Sequence, residues 1–268
     1  MSIRTTTAPF VVLLILVLSA CGAETQRPPQ PAQPSADTVR VLAYNIHHGE
    51  GMDGVTDLER IAALIREVQP DLVTLQEVDS VVERTGGVDQ ATVLGELTGM
   101  APVFGEFMPY QGGKYGMALL SAWPIVATEN IRLPDGDEPR TALSAVVASP
   151  ETGRELRLVG IHFYRTEEER LAQAQELEAH LSEETRPTIL AGDFNSEPGG
   201  TVMGWLAERW HIVPKGDDNL TFSSFNPVKE IDFILLRPRD AFEVIRHELL
   251  DEPVISDHRP VVIDFILR

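Results

Sequence analysis

The stretch TILAGDFN, Thr188 to Asn195, decides how the rest of the chain reads. Thr188 to Ala191 is short, apolar and β-prone, Gly192 breaks the run, and Asp193 and Asn195 then bracket Phe194. A strand that ends this way puts two polar groups on the same side of a turn, where a rigid scaffold presents binding and catalytic groups.

Outward from this stretch the arrangement recurs. Val39 to Tyr44 runs apolar into Asn45-Ile46-His47, and Leu72 to Leu75 delivers Gln76-Glu77. Glu155 to His162 ends in Gly160-Ile161-His162, Glu230-Ile231-Asp232-Phe233 opens a late strand, and Ser256-Asp257-His258-Arg259-Pro260 precedes the last one. Taken singly, each is weak, because a Glu after a strand is usually a solvated loop residue and an Asp-His pair is usually a surface pair.

Between these segments the apolar spacing predicts helices over Asp57 to Val68, with Asp57 as N-cap, and over Ala91 to Thr98, Glu167 to Leu181 and Thr201 to Arg209. Further strands are expected over Val103 to Phe107, Gly116 to Ser121, Ile125 to Ile131, Thr141 to Ala148, Ile231 to Leu236, Phe242 to His247 and Pro260 to Leu267. Two runs of strands with interspersed helices imply an α/β fold, a four-layered α/β/β/α sandwich of two packed mixed sheets with outer helices. The loop Gln111-Gly112-Gly113-Lys114 reads as a lid or a hairpin.

The N-terminus is of another kind. Arg4 precedes an apolar run, Ala8 to Leu18, and then Leu18-Ser19-Ala20-Cys21. That run is short for a bilayer span, which needs about 20 residues. It fits a signal peptide over 1–20 with a small-residue cleavage site. Cys21 is the only cysteine, and Leu-Ser-Ala-Cys resembles a bacterial lipobox, so lipidation of Cys21 is expected. Residues 21–37, with Pro28, Pro29, Pro31 and Pro34, read as a tether. The expected location is the bacterial cell envelope, lipid-anchored and facing the periplasm or the exterior, with 38–268 as one catalytic domain. A single cysteine rules out a disulfide within the chain, so the fold rests on its core, for which 43% hydrophobic residues suffice.

Net charge is −19; residues 1–20 hold Arg4 and no acid, so the chain from Cys21 onward carries −20. Non-specific duplex binding runs on Lys and Arg displacing counterions. An acidic chain without a basic run is ill suited to it, so nucleic acid is the lesser alternative as substrate. The cysteine count excludes a zinc site of His and Cys ligands, and the absence of HExxH, of a GxSxG elbow and of a Walker or dinucleotide glycine pattern argues against a HExxH zinc enzyme, an α/β-hydrolase and a nucleotide-binding fold of those kinds.

The ordered set Asn45, LQE ending at Glu77, His162, GDFN over Gly192 to Asn195, Ile231-Asp232-Phe233, and SDH over Ser256 to His258 resembles the endonuclease/exonuclease/phosphatase superfamily over essentially all of 39–267. That superfamily includes deoxyribonucleases, apurinic endonucleases, inositol-polyphosphate phosphatases and neutral sphingomyelinases. The resemblance implies a Mg²⁺- or Mn²⁺-dependent phosphoric ester hydrolase, and charge logic agrees: anionic phosphate oxygens repel a nucleophile unless a metal and polarised donors surround them.

On that basis Glu77 is the prime metal ligand, with Asn45 and Asp257 beside the metal directly or through water. Asp193 aligns or deprotonates the attacking water, and Asn195 donates its amide to non-bridging oxygens. His258, oriented by Asp232, contacts the phosphate and moves protons. His162 is a donor to the phosphate or an acid for the leaving oxygen. Arg140 is a candidate phosphate clamp or a surface salt bridge, and His47 a candidate near the metal. Asp232 also reads as a structural carboxylate, and His162 as a satisfied core histidine. Tyr115-Gly116-Met117 departs from the Gly-Asn pair often seen in the family, which removes a substrate contact. The expected substrate is a small phosphorylated compound or a lipid headgroup, and the expected state a monomer. The alternatives are an extracellular nuclease and a catalytically silent binding lipoprotein; Glu77, Asp193, Asn195 and His258, all present, weigh against the second.

Overall fold

A computed structural model describes residues 38–268; the expected leader, the expected lipidation at Cys21 and the expected tether lie outside the described residues. In chain order the elements are β1 (Thr38–Asn45), α1 (Leu58–Val68), β2 (Leu72–Ser80), α2 (Gln90–Thr98), β3 (Ala101–Tyr110), β4 (Gly113–Ser121), β5 (Ile125–Arg132) and β6 (Thr141–Ala148). They continue with β7 (Glu155–His162), α3 (Glu167–His180), β8 (Thr188–Asp193), α4 (Thr201–Ala207), β9 (His211–Ile212), β10 (Asp232–Arg237), β11 (Phe242–Leu249) and β12 (Val261–Leu267).

The strands form two six-stranded sheets, ordered β11-β12-β1-β2-β4-β3 and β5-β6-β7-β8-β10-β9. At the centre of each lies its one parallel pair, β1 with β2 and β7 with β8, joined in sequence through α1 and α3 respectively. Central parallel strands are covered on both faces, and so read as unbroken apolar runs. In β1, Val41 and Ala43 turn toward the other sheet, while Leu42 and Tyr44 turn toward the helices. The inter-sheet core continues with Leu158, Ile189, Ala191 and Ile234. On the outer faces, Ile61, Ala62 and Ile65 of α1 bury against one sheet and Ala174 and Leu177 of α3 against the other. The four-layered sandwich expected from the strand runs is the fold observed.

Local chemistry sets the helix starts. Asp57 accepts hydrogen bonds from the amides of Glu59 (2.9 Å) and Arg60 (3.3 Å), the N-cap its position predicts. Thr166 caps α3, with Glu167, Glu168 and Glu169 in the first turn, where the helix dipole favours acid.

Several boundaries differ from the sequence reading. The strand opened at Leu72 does not stop at Leu75; β2 continues through Glu77 to Ser80, because β4 pairs with it along its whole length. The 111–114 segment is a hairpin: Tyr110 pairs with Gly113, and Gln111 (φ 40°) and Gly112 (φ 81°) make the tight turn. Met117, where the family's Asn was missed, packs in the inter-sheet core, its Cε lying 2.6 Å from where a Cβ on Gly160 would fall. A side chain here serves the close approach of the sheets, not the cleft.

Candidate active site

Period-two alternation carries the site. Val41 and Ala43 on β1, Leu156 and Leu158 on β7, Ile189 and Ala191 on β8, and Ile234 and Leu236 on β10 all face the inter-sheet core. Extending each series by one step reaches Asn45, then His162 beyond Gly160, then Asp193, and then Asp232. The polar cluster is thus the top layer of the core, where apolar packing gives way to ionisable groups.

Glu77 breaks the alternation. Val73 and Leu75 face the α1–α2 layer, and a regular strand would send Glu77 there too. Instead β2 bulges between Gln76 and Val78, with Glu77 at φ 59°. Re-aiming one side chain is what a bulge does beside active sites. The Glu77 carboxylate then lines the cleft and its Oε1 lies 3.2 Å from Asn45 Nδ2.

Around Asp193 the distances are short. Its Oδ1 accepts the Asn195 amide at 2.8 Å, and its Oδ2 lies 3.3 Å from Asn45 Nδ2, 3.4 Å from His162 Nε2 and 3.7 Å from His258 Nε2. His258 Nδ1 is 2.9 Å from Asp232 Oδ2, the carboxylate paired with it in the sequence reading. Asp193 itself ends β8 and is 2% exposed, so it is part of the core layer and not of a loop. Gly192 precedes it at φ 139°, where a Cβ would fall 2.1 Å from the Ile161 carbonyl oxygen. Only glycine fits there.

The electrostatics follow from that burial. Desolvation, with Asp232 repulsion added, raises the Asp193 carboxyl to about 7. Burial alone would lower His258, but the charge and hydrogen bond of Asp232, with Asp193 and Asp257 nearby, overcome it and raise the imidazolium to about 10. His162 is driven the other way: burial, then Arg140 and His258, hold it well below its ordinary value. At neutral pH the pair is therefore a charged His258 and a neutral His162.

These groups open on a cleft of about 650 Å³. Glu77, Arg140, His162, Asp193, Asn195, Asp257 and His258 line it, while Asn45 and Asp232 stand behind. The sequence reading puts Asn45 at the metal. In the structure it is fully buried, its Oδ1 accepts the His47 amide (3.1 Å), and its Nδ2 faces Glu77 and Asp193. Asn195 donates one amide proton to the Phe163 carbonyl (2.9 Å) and keeps the other. Arg140 is no surface ion pair: it is 5% exposed, bonded to Glu138, stacked over Phe107 at 5.0 Å, and its buried Nε has no partner.

Arg84, Arg165, Arg170 and Lys229 also line the cleft and were missed by the sequence reading. Arg84 forks onto Asp79 (2.7 and 2.8 Å) between the rings of Tyr110 and Tyr115. Arg170 comes from α3 and the others from turns, and only the tertiary fold decides what they face. His48 was missed too, though it adjoins His47. Burial, with Arg84 and His47 close by, lowers it to about 4.

Two groups among the described residues have the donor types of a cation site: Asp193, Asp232 and His258, and His47, His48 and Glu77. In the first, His258 is already hydrogen-bonded to Asp232 and, when protonated, balances one carboxylate charge.

The sequence pattern of the Endonuclease/Exonuclease/phosphatase family matches residues 42–258. The chain belongs to this family. It is 30% identical over 254 residues to Uncharacterized protein YbhP of Escherichia coli, covering 86% of this chain and 97% of that one. Among solved structures, the endonuclease/exonuclease/phosphatase of Beutenbergia cavernae is 25% identical with a TM-score of 0.69, over 86% of this chain and 72% of its own. A mannosyl-6-phosphatase of Bacteroides thetaiotaomicron shares the fold, with a TM-score of 0.70 at 18% identity, over 85% of this chain and 100% of its own. Membership places this chain among hydrolases that act on phosphoesters and generally need a divalent cation.

Proposed function

We propose that this protein hydrolyses a phosphate ester of a small anionic compound, free or as a lipid headgroup, with a divalent cation held at Glu77. The observation that carries this reading is the buried Asp193–His258–Asp232 chain opening on a confined cleft beside Glu77. A volume of about 650 Å³ falls within the roughly 300–1,000 Å³ of small-molecule pockets. In a chain of net charge −19, four arginines and one lysine on that lining give an entering anion cationic partners, set among six carboxylates. The same lining carries acidic groups as well, and it is a pocket, not the long basic groove a nuclease needs.

Glu77 and Asp257, hard oxygen donors on the cleft wall, suit Mg²⁺ or Mn²⁺, with Asn45 orienting Glu77 from behind. Such a cation supplies charge neutralisation of the phosphoryl oxygens and of the leaving oxygen. The chain's own groups do the rest. Asp193, raised to about 7, sits where it can accept a proton from water near neutral pH. His258 offers Nε2–H to a phosphoryl oxygen while Asp232 holds its ring. His162, neutral, donates from Nε2 and is a poor proton source for the leaving oxygen. Arg140, with an unpartnered Nε, and the second amide proton of Asn195 complete the donors. The lipid anchor at Cys21 and the envelope location belong to the same proposal. They rest on the sequence of residues 1–37 alone.

The test uses bis-p-nitrophenyl phosphate and p-nitrophenyl phosphate with Mg²⁺, Mn²⁺ or EDTA. Metal-dependent release that EDTA stops and Glu77→Ala removes is the expected result. The diester-to-monoester ratio then narrows the substrate. Release unaffected by EDTA would overturn the metal dependence. No release from these or from a panel of phosphorylated sugars and phospholipid headgroups would overturn the enzyme reading in favour of a silent binder.

A further inference from the structure

β1 leaves its sheet through Asn45-Ile46-His47-His48-Gly49, and three successive residues there take left-handed backbone: His47 (φ 46°), His48 (φ 45°) and Gly49 (φ 83°). Histidine visits this region more readily than most residues, but two in a row is uncommon. Four hydrogen bonds hold the turn. The His47 amide donates to Asn45 Oδ1 (3.1 Å), Gln90 Nε2 to the His48 carbonyl (2.7 Å), Gly49 N to the Ile46 carbonyl (2.8 Å) and Glu50 N to the His47 carbonyl (2.9 Å).

The consequence is a paired set of imidazoles. The His47 and His48 ring centroids are 4.4 Å apart, and one nitrogen from each ring and one Glu77 carboxylate oxygen all lie within 4.8 Å of one another. His47 Nδ1 lies 3.1 Å from the Glu50 carbonyl oxygen. A carbonyl only accepts, so Nδ1 carries a proton and in the neutral ring Nε2 keeps its lone pair, the arrangement that prepares a histidine to bind a metal. His48 Nδ1 is buried with no partner. Glu77 arrives by the bulge at φ 59°. A turn after β1 and a bulge within β2 thus bring three ligand-type side chains together.

We propose that His47 and His48 join Glu77 in a nitrogen-rich cation site that selects a borderline transition-metal ion, of the Mn²⁺, Co²⁺ or Zn²⁺ kind, over Mg²⁺. This rests on the reading of Glu77 as a metal ligand and sharpens it. Imidazole nitrogen favours transition ions, whereas Mg²⁺ takes oxygen and keeps its waters.

The experiment measures binding to the untagged, EDTA-treated full-length protein. Co²⁺ is followed by its visible ligand-field bands, and Zn²⁺ and Mg²⁺ by competition with Co²⁺. The variants are His47→Asn, His48→Asn and Glu77→Gln, since Asn tolerates left-handed backbone and preserves the turn. Wild-type protein is expected to show Co²⁺ bands that equimolar Zn²⁺ removes and excess Mg²⁺ does not. Each histidine variant should weaken Co²⁺ binding by at least about tenfold, with Mg²⁺ binding nearly unchanged, so the Co²⁺/Mg²⁺ preference collapses. Misfolding would lower both affinities together and leave that ratio alone. Wild-type Co²⁺ affinity and an unchanged ratio in both histidine variants, with Co²⁺ lost in Glu77→Gln, overturn this inference and leave the metal reading intact. If Glu77→Gln also binds like wild type, both fall.

Discussion

The molecule contains the same device twice. In one sheet β1–α1–β2 presents Asn45 at the end of β1 and Glu77 at a bulge within β2; in the other β7–α3–β8 ends in His162 and Asp193. Both are parallel pairs covered on two faces, and both bring polar side chains to the rim of one shared core. They differ in how the second strand ends. β2 bulges, keeps pairing to Ser80 and leaves Glu77 half-buried beside two imidazoles. β8 runs regularly to Asp193, which burial and Asp232 raise to about 7. One topology thus yields a wet carboxylate open to a cation and a dry one poised to exchange a proton. A backbone defect and a few ångströms of depth divide the labour.

The largest expected effect separates the two ends by activity. Asp193→Asn keeps the shape and the Asn195 amide contact, so the protein should fold, while turnover falls by about 10²–10⁴-fold, the range for a lost general base. Steady-state kinetics beside circular dichroism check this; wild-type turnover would remove Asp193 from the proton-transfer role.

Next is the strand ending itself. Gly192→Ala places a Cβ 2.1 Å from the Ile161 carbonyl at φ 139°. The loss expected is about 3 kcal/mol or more by denaturant unfolding, as for severe backbone strain. A neutral result would mean that β8 can end in some other way.

The dry end also predicts a pH dependence. His258, raised to about 10, contributes stability that is fully present below its unfolded value near 6.5 and is lost as pH rises through about 10. Asp193 adds to the decline at lower pH: its folded value of about 7 lies above the unfolded 3.8, so its protonated form favours folding and that favour is lost up to about 7. Unfolding free energy should therefore fall between pH 7 and 10, by a few kcal/mol at about 1.36 kcal/mol per pKa unit. Asp232→Asn removes the main partner of His258 and should flatten that slope. A slope unchanged in the variant would show that His258 is not held by Asp232.

The smallest effect is a control on the outer layer. Gly204 lies in α4 with open space where a Cβ would go, so Gly204→Ala should stabilise by about 0.5–1 kcal/mol without touching activity.

The fold and the strand-ending residues were legible because central strands buried on two faces print as apolar runs, and their polar terminators stand out against them. His162, Asp193, Asn195 and His258 come together in the cleft as that pattern implied, with Asp232 behind. Glu77 was found from its motif, but not its placement: alternation aims it toward the α1–α2 layer, and a bulge leaves no local signal. The register of β4 settled the 111–114 hairpin, which sequence left open against a lid. Arg84, Arg165, Arg170 and Lys229 reach the cleft from turns and from a helix, where only long-range packing says what a side chain faces.

The division of labour is tested most directly by measuring the Mn²⁺-induced rise in melting temperature and the turnover of bis-p-nitrophenyl phosphate in three proteins: wild type, Glu77→Gln and Asp193→Asn. Both are expected in the wild type, neither in Glu77→Gln, and a preserved melting-temperature rise without turnover in Asp193→Asn. A rise that survives in Glu77→Gln but vanishes in Asp193→Asn would place the cation at the other end of the site and contradict that division.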